Sequence, residues 1–126
     1  MDDTTVAAPD RAVIAAPHRE LLDQVLDKWS LQVLDELCDR TLRFNELRRA
    51  IPLVTQKSLT TTLRRLERNG MVERVVTGTR PLAVEYRIAP LGKSLQGLID
   101  ALLAWTTETM PGVERARATF DAAADD

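Results

Sequence analysis

The sequence predicts a mainly helical α+β domain carrying one small antiparallel β-hairpin. Three observations lead there. Apolar residues recur at helical spacing over most of the chain, two strand-like segments, the second cleanly alternating, flank a Gly-containing turn, and 126 residues suffice for one core and no more. Aromatic residues make up only 4% of the chain, so the core is expected to rest on Leu, Val and Ile.

Residues 17–26 open the periodic part, with Leu21, Leu22, Val25 and Leu26 on one helical face and Pro17 in the first turn, where its missing N–H costs nothing. A second helix is expected from Asp27 or Lys28 to Cys38, striped by Leu31, Leu34, Leu37 and Cys38 beside Trp29 and Val33. Residues 41–44 suit a single edge strand, followed by a helix over 45–50 with Asn45 as its N-cap. Ile51-Pro52 ends that helix, because the residue before a proline is driven out of the α region.

The next helix spans 55–69. Thr55 is its cap, Leu59, Leu63 and Leu66 form its apolar line, and Asn69-Gly70 stops it in a left-handed conformation. Gln56, Lys57, Thr60, Thr61, Arg64, Arg65 and Arg68 occupy its other faces. Segments 71–77 and 83–89 read as strands, the second alternating Val84, Tyr86 and Ile88 against Glu85 and Arg87. Between them Gly78-Thr79-Arg80-Pro81 makes a turn with a basic tip. A final helix is expected from Pro90 to about Met110, striped by Leu91, Leu95, Leu98, Leu102 and Trp105 and widened by Ile99 and Leu103. Its greasy arc exceeds what one small core can cover, which calls for a partner subunit. The ends, 1–16 and 111–126, show no periodic pattern and are expected to be a flexible segment and a loose tail around a domain at 17–110.

Charge is segregated along this frame. From Arg40 to Arg87 eleven basic residues stand against four acidic ones, a net +7, which leaves −9 for the remainder of a chain whose total is −2. A basic middle between acidic ends suits a polyanion-binding surface. The element order, with a short strand, two helices, a hairpin and a long helix, is that of a winged helix-turn-helix. In that arrangement the helix at 55–69 enters the major groove, with Gln56, Lys57, Thr60, Thr61 and Arg64 placed to read base edges. Arg43, Arg65, Arg68 and the hairpin-tip Arg80 are placed for the phosphate backbone, with Thr77 and Thr79 as additional hydroxyl donors.

Other chemistry is poorly supplied. One cysteine and one histidine build neither a disulfide nor a zinc site, and no cofactor is expected. Asp35, Glu36 and Asp39 lack a second cluster to complete an acid–base or metal site, and the five glycines form no phosphate-cradling loop, so no enzymatic activity is expected. His18, beside Pro17, reads as an exposed or capping residue. Cys38 reads as a packing residue whose burial keeps the thiol protonated. With no apolar run near the ~18 residues of a membrane span and no secretory signal pattern, a cytoplasmic protein without membrane contact is expected.

Several runs resemble one family: Lys28-Trp29, Arg43-Phe44-Asn45-Glu46-Leu47, Lys57-Ser58-Leu59-Thr60, Leu63-Arg64-Arg65-Leu66-Glu67, Asn69-Gly70-Met71-Val72, Pro81 with Val84-Glu85-Tyr86, and Leu91-Gly92 with Leu95. In that order and spacing they are similar to the HxlR-type regulators, relatives of the MarR group. The resemblance covers about 17–110. It implies a transcriptional regulator that binds pseudo-palindromic double-stranded DNA as a homodimer, its half-sites about one helical turn apart, ~34 Å, or a multiple of that. The first and last helices would pair through Leu21, Leu22, Val25, Leu91, Leu95, Leu98, Leu102 and Trp105. Trp29 and Trp105 have two readings, as walls of a small-molecule effector pocket at that interface or as packing, and the packing reading is adopted. Many such regulators carry Cys-Pro before the first helix, and some sense oxidants through that thiol. Here the pair is Ala16-Pro17, which has no thiol to oxidise. The alternative reading of the whole chain is a winged-helix protein-interaction module that does not bind DNA.

Overall fold

The computed structural model describes residues 14–124. Six helices and a three-stranded antiparallel sheet follow in the order α1 (Ala16–Val25), α2 (Lys28–Leu37), β1 (Leu42–Arg43), α3 (Phe44–Ala50), α4 (Gln56–Arg68), β2 (Val72–Thr77), β3 (Ala83–Ile88), α5 (Pro90–Lys93) and α6 (Gln96–Ala124). The fold is the expected mainly helical winged helix-turn-helix. The part of the expected N-terminal flexible segment before residue 14 lies outside the described residues.

Local chemistry accounts for the helix starts. Asp27 caps α2, its carboxylate accepting from the N–H groups of Trp29 and Ser30 at 3.0 Å each. Thr55 caps α4 by accepting from the Ser58 N–H at 3.0 Å. At α3 the cap is Arg43 and not Asn45: the helix starts two residues earlier, and the backbone N–H of Arg43 donates to Glu46 Oε1 at 2.8 Å, the returning half of a capping box. Gly70, at φ +75°, ends α4 in the left-handed conformation expected.

The strands run in the order β1-β3-β2, with Leu42 opposite Tyr86 and Val72 opposite Ile88. Leu34, Leu37, Leu47, Ile51, Leu59, Leu63 and Leu66 are fully buried and join α2, α3 and α4 around one core. Burying each such side chain contributes about 1.5–3 kcal/mol. Gly92 fastens α5 against the start of the wing, for a Cβ there would lie 2.1 Å from the Met71 carbonyl oxygen.

Two expectations fail at the C-terminal end. The helix expected over 90–110 breaks at Ser94-Leu95, where the Ser94 hydroxyl and N–H turn back onto the Leu91 carbonyl. The second part then does not stop near Met110 but continues through Pro111-Gly112 to Ala124. Pro111 removes one rung of the ladder, yet Thr107, whose carbonyl it frees, is exposed to water, and Ala, Glu and Arg beyond it favour helix. At 29 residues α6 is about 43 Å long.

The turn between α3 and α4 has one unusual residue. Among the described residues Leu53 is the only non-glycine at positive φ, 69°. A Cβ in that region crowds the following carbonyl, at a cost of roughly 1–2 kcal/mol.

Candidate nucleic-acid interface

α4 is a two-sided helix. Leu59, Thr62, Leu63 and Leu66 face the core, while Gln56, Lys57, Thr60, Thr61, Arg64 and Arg68 are all exposed. The sequence therefore placed this polar side correctly, and its cap leaves the first-turn residues Gln56 and Lys57 at an open end of the helix.

Arg65 departs from the others. It is half-buried and its Nη1 lies 3.6 Å from Asp27 Oδ2, the carboxylate that also caps α2. One turn further, Asn69 Nδ2 donates to Gln24 Oε1 at 2.8 Å and to the Arg65 carbonyl at 3.0 Å. The C-terminal half of α4 is thereby tied to the α1–α2 junction, where Ser30 is fully buried and its hydroxyl donates to Asp27 Oδ2 and to the Gln24 carbonyl. Arg64, Arg65 and Arg68 line an open cleft against Glu20 and Gln24 of α1. Arg65 thus has a structural partner that the sequence did not predict, because Asp27 lies 38 positions away.

The wing carries Arg80 at its exposed tip, and among the described residues no carboxylate lies within ion-pair distance of it. Thr77 uses its hydroxyl inside the hairpin, on the Ala83 carbonyl at 3.5 Å. Arg43 is exposed at the edge of the sheet, with its Nε 4.0 Å from Glu85 Oε2, a distance at which the pair is weak in water. A groove between the start of α3 and the wing brings Arg43, Asn45 and Arg49 beside Pro81 and Leu82.

Two exposed cations beside the candidate site were not among the expected site residues. Arg48 and Arg49 stand exposed in the last turn of α3, which precedes α4 in the helix-turn-helix. A signal was available, since two arginines before Ile51-Pro52 stand at the end of the helix that crosses the phosphate backbone in this motif.

The residues expected to pair two subunits divide. Leu21, Leu22, Leu91, Leu98 and Leu102 are exposed, and Trp105 is 57% exposed. Leu95 is half-buried against the chain's own core. Val25 does not belong with them: it is 3% exposed, inside that core, and has no surface to offer a partner. Trp29 likewise packs on the core, its ring 4.7 Å from the Lys28 ammonium. Cys38 is half-buried, and burial followed by the neighbouring Asp39 raises its thiol pKa, so the group stays protonated at neutral pH. Among the described residues no cluster could hold a metal ion, and no helix is long and apolar enough to cross a membrane.

A capped helix with a free cationic side, a preceding helix ending in arginines and a basic hairpin together define a winged helix-turn-helix transcriptional regulator. The chain belongs to the HxlR-like helix-turn-helix family, whose pattern its residues 24–114 match. It is 38% identical over 91 residues to the uncharacterized HTH-type transcriptional regulator YdzF of Bacillus subtilis, an alignment covering 71% of this chain and 84% of that one. It is 36% identical over 97 residues to YtfH of Escherichia coli, covering 77% of each. Among solved structures, the transcriptional regulator ytfH from Salmonella typhimurium superimposes with a TM-score of 0.76 at 35% identity, over 85% of this chain and 97% of that one. The redox regulator HypR in its reduced form gives 0.72 at 33% identity, over 79% and 99%.

Proposed function

We propose that this chain is a sequence-specific DNA-binding regulator that acts in the cytoplasm as a homodimer on a pseudo-palindromic operator. The observation that carries this reading is the outward side of α4, where six polar or cationic side chains stand clear of the core on a helix of the diameter a major groove admits. Gln56, Lys57, Thr60, Thr61 and Arg64 read base edges. Arg43, Arg68 and Arg80 hold phosphates, joined by Arg48 and Arg49, and Arg65 shares itself between a phosphate and Asp27.

The partner in the dimer is a second copy. Leu91, Leu98, Leu102 and Trp105 of one protomer, with Leu21 and Leu22, are exposed apolar side chains of the kind that a second copy covers. Redox sensing, named for HypR, does not transfer on these residues: Ala16 holds the position before Pro17, and burial and the neighbouring Asp39 raise the Cys38 thiol pKa, which disfavours the thiolate.

A gel shift tests this reading on a duplex that the protein itself selects from a random-sequence pool, repeated at two salt concentrations. Arg80→Ala weakens binding to operator and random DNA alike and flattens the salt slope by about one unit per subunit. Thr61→Ala instead relaxes the preference at one position in each half-site. Equal losses on both kinds of DNA for both variants contradict this division of labour, and selection of no duplex at all leaves the protein-interaction reading.

A further inference from the structure

We propose that Leu53 is a base-reading residue, which lays an apolar side chain against a thymine methyl from the turn that leads into α4. The inference deepens the DNA-binding reading above and rests on it.

Two independent observations meet at this residue. Its φ of 69° is a conformation that glycine adopts freely and a leucine only under strain. Its side chain is also 93% exposed, the most exposed large hydrophobic group among the described residues. The first would be unremarkable if the side chain gained by burial, and the second if the backbone were relaxed. Together they mean that Leu53 weakens the isolated chain twice and is repaid by no burial among the described residues. Strain of this kind collects where a side chain serves a function.

The turn cannot relax to relieve it. Ile51 and Val54, on either side, are 1% and 7% exposed, and the Val54 N–H donates to the Ile51 carbonyl at 3.4 Å. These anchors fix the backbone and send the Leu53 side chain outward. Three Cα steps separate it from Gln56, so it lies within about 11 Å of the first recognition residue.

What it meets follows from its surroundings. Exposed Arg48 and Arg49 precede it and exposed Lys57 follows it, so the neighbouring surface is cationic and fits a polyanion better than an apolar protein face. On the major-groove edges of B-DNA the apolar group on offer is the C5-methyl of thymine. A leucine at the leading end of the recognition helix supplies its complement, as polar side chains cannot.

The test uses the full chain and a duplex recovered from a random-sequence pool by the wild-type protein, with each thymine in turn replaced by deoxyuridine, which lacks only the methyl group. Wild-type protein is expected to lose about fourfold in affinity at one position per half-site, the value of one buried methyl. Leu53→Gly, which loses the contact in both subunits, is expected to bind the thymine duplex as weakly as the wild type binds a duplex with both of those thymines replaced, and to be indifferent to either exchange. Its thermal unfolding midpoint should equal or exceed that of the wild type, which separates lost contact from lost folding. Unchanged affinity of Leu53→Gly, or equal sensitivity of both proteins to uracil, overturns the proposal while leaving α4 as the recognition helix. Failure of the wild type to recover any duplex overturns both.

Discussion

Individual side chains in this protein are divided between holding the fold and meeting a partner, and their surroundings tell the two apart. Asp35 illustrates a residue whose cost is visible. It lies in the last turn of α2, near the negative end of the helix dipole, and burial, then Glu36, Asp100 and Asp39, raise its pKa above the usual value. A carboxylate with a raised folded-state pKa binds more protons folded than unfolded, so its contribution to stability falls as pH rises from the ordinary carboxylate range through the raised value. Asp35→Asn is therefore expected to stabilise the protein at pH 7, by roughly 0.2–0.5 kcal/mol for a relieved like-charge pair. The gain should shrink in more acidic solution, as pH falls through the ordinary value and the wild-type carboxyl becomes protonated in both states. Thermal unfolding of the two proteins at pH 3.5 and pH 7 checks this, and an equal difference at both contradicts it. Cys38 belongs to the same scale. Its protonated thiol should react with iodoacetamide at pH 7.5 several-fold more slowly than the cysteine of an unstructured peptide, and faster reaction would refute the inert assignment.

At the scale of elements, α4 succeeds because each of its parts agrees with the others: a Thr cap, a leucine line at helical spacing and a glycine stop. Thr55→Ala removes the acceptor of the Ser58 N–H and is expected to cost about 1 kcal/mol in chemical denaturation. Leu66→Ala, at a fully buried site, should cost about 2–5 kcal/mol. The sequence made α4 and the wing legible because their signals are local, a 3.6-residue period and a 2-residue alternation bounded by turn residues. It misled where local and distant effects disagree. Pro111-Gly112 resembles a helix stop, and the run of helix formers that carries α6 past it is a weaker signal than the proline. Val25 looked like an outward leucine-face residue because periodicity gives the face and not what covers it. The same blindness hid the link from Arg65 to Asp27 and from Asn69 to Gln24, since contacts distant in sequence leave no periodic trace. Leu53 was hidden for another reason. A positive φ at a leucine is fixed by its buried neighbours and has no signature in the residue itself.

For the whole molecule, the arrangement joins a basic helix-turn-helix and wing to a long helix that packs Ile99 into the core and whose Leu98, Leu102 and Trp105 the other described residues leave exposed. Those side chains are exposed in the protomer, so charging them leaves the protomer's own core intact. On the proposed homodimer, the wild type is expected to sediment as a dimer at micromolar concentration and the double variant Leu98→Glu, Trp105→Glu as a monomer. The variant should also bind half-site and full-site duplexes with similar affinity, because the gain from linked sites is gone. A dimer persisting in that variant would move the interface elsewhere.

The central claim, that the outward side of α4 lies in the major groove of DNA in two copies, is tested most directly by protection of guanine N7 from dimethyl sulfate on the selected duplex. The N7 atom faces the major groove, so a helix lying there shields it. Two protected patches are expected, about one helical turn apart or a multiple of it, and both should be lost together in Arg64→Ala with Lys57→Ala. Retarded DNA with every guanine N7 still reactive, or protection indifferent to those substitutions, would contradict the account.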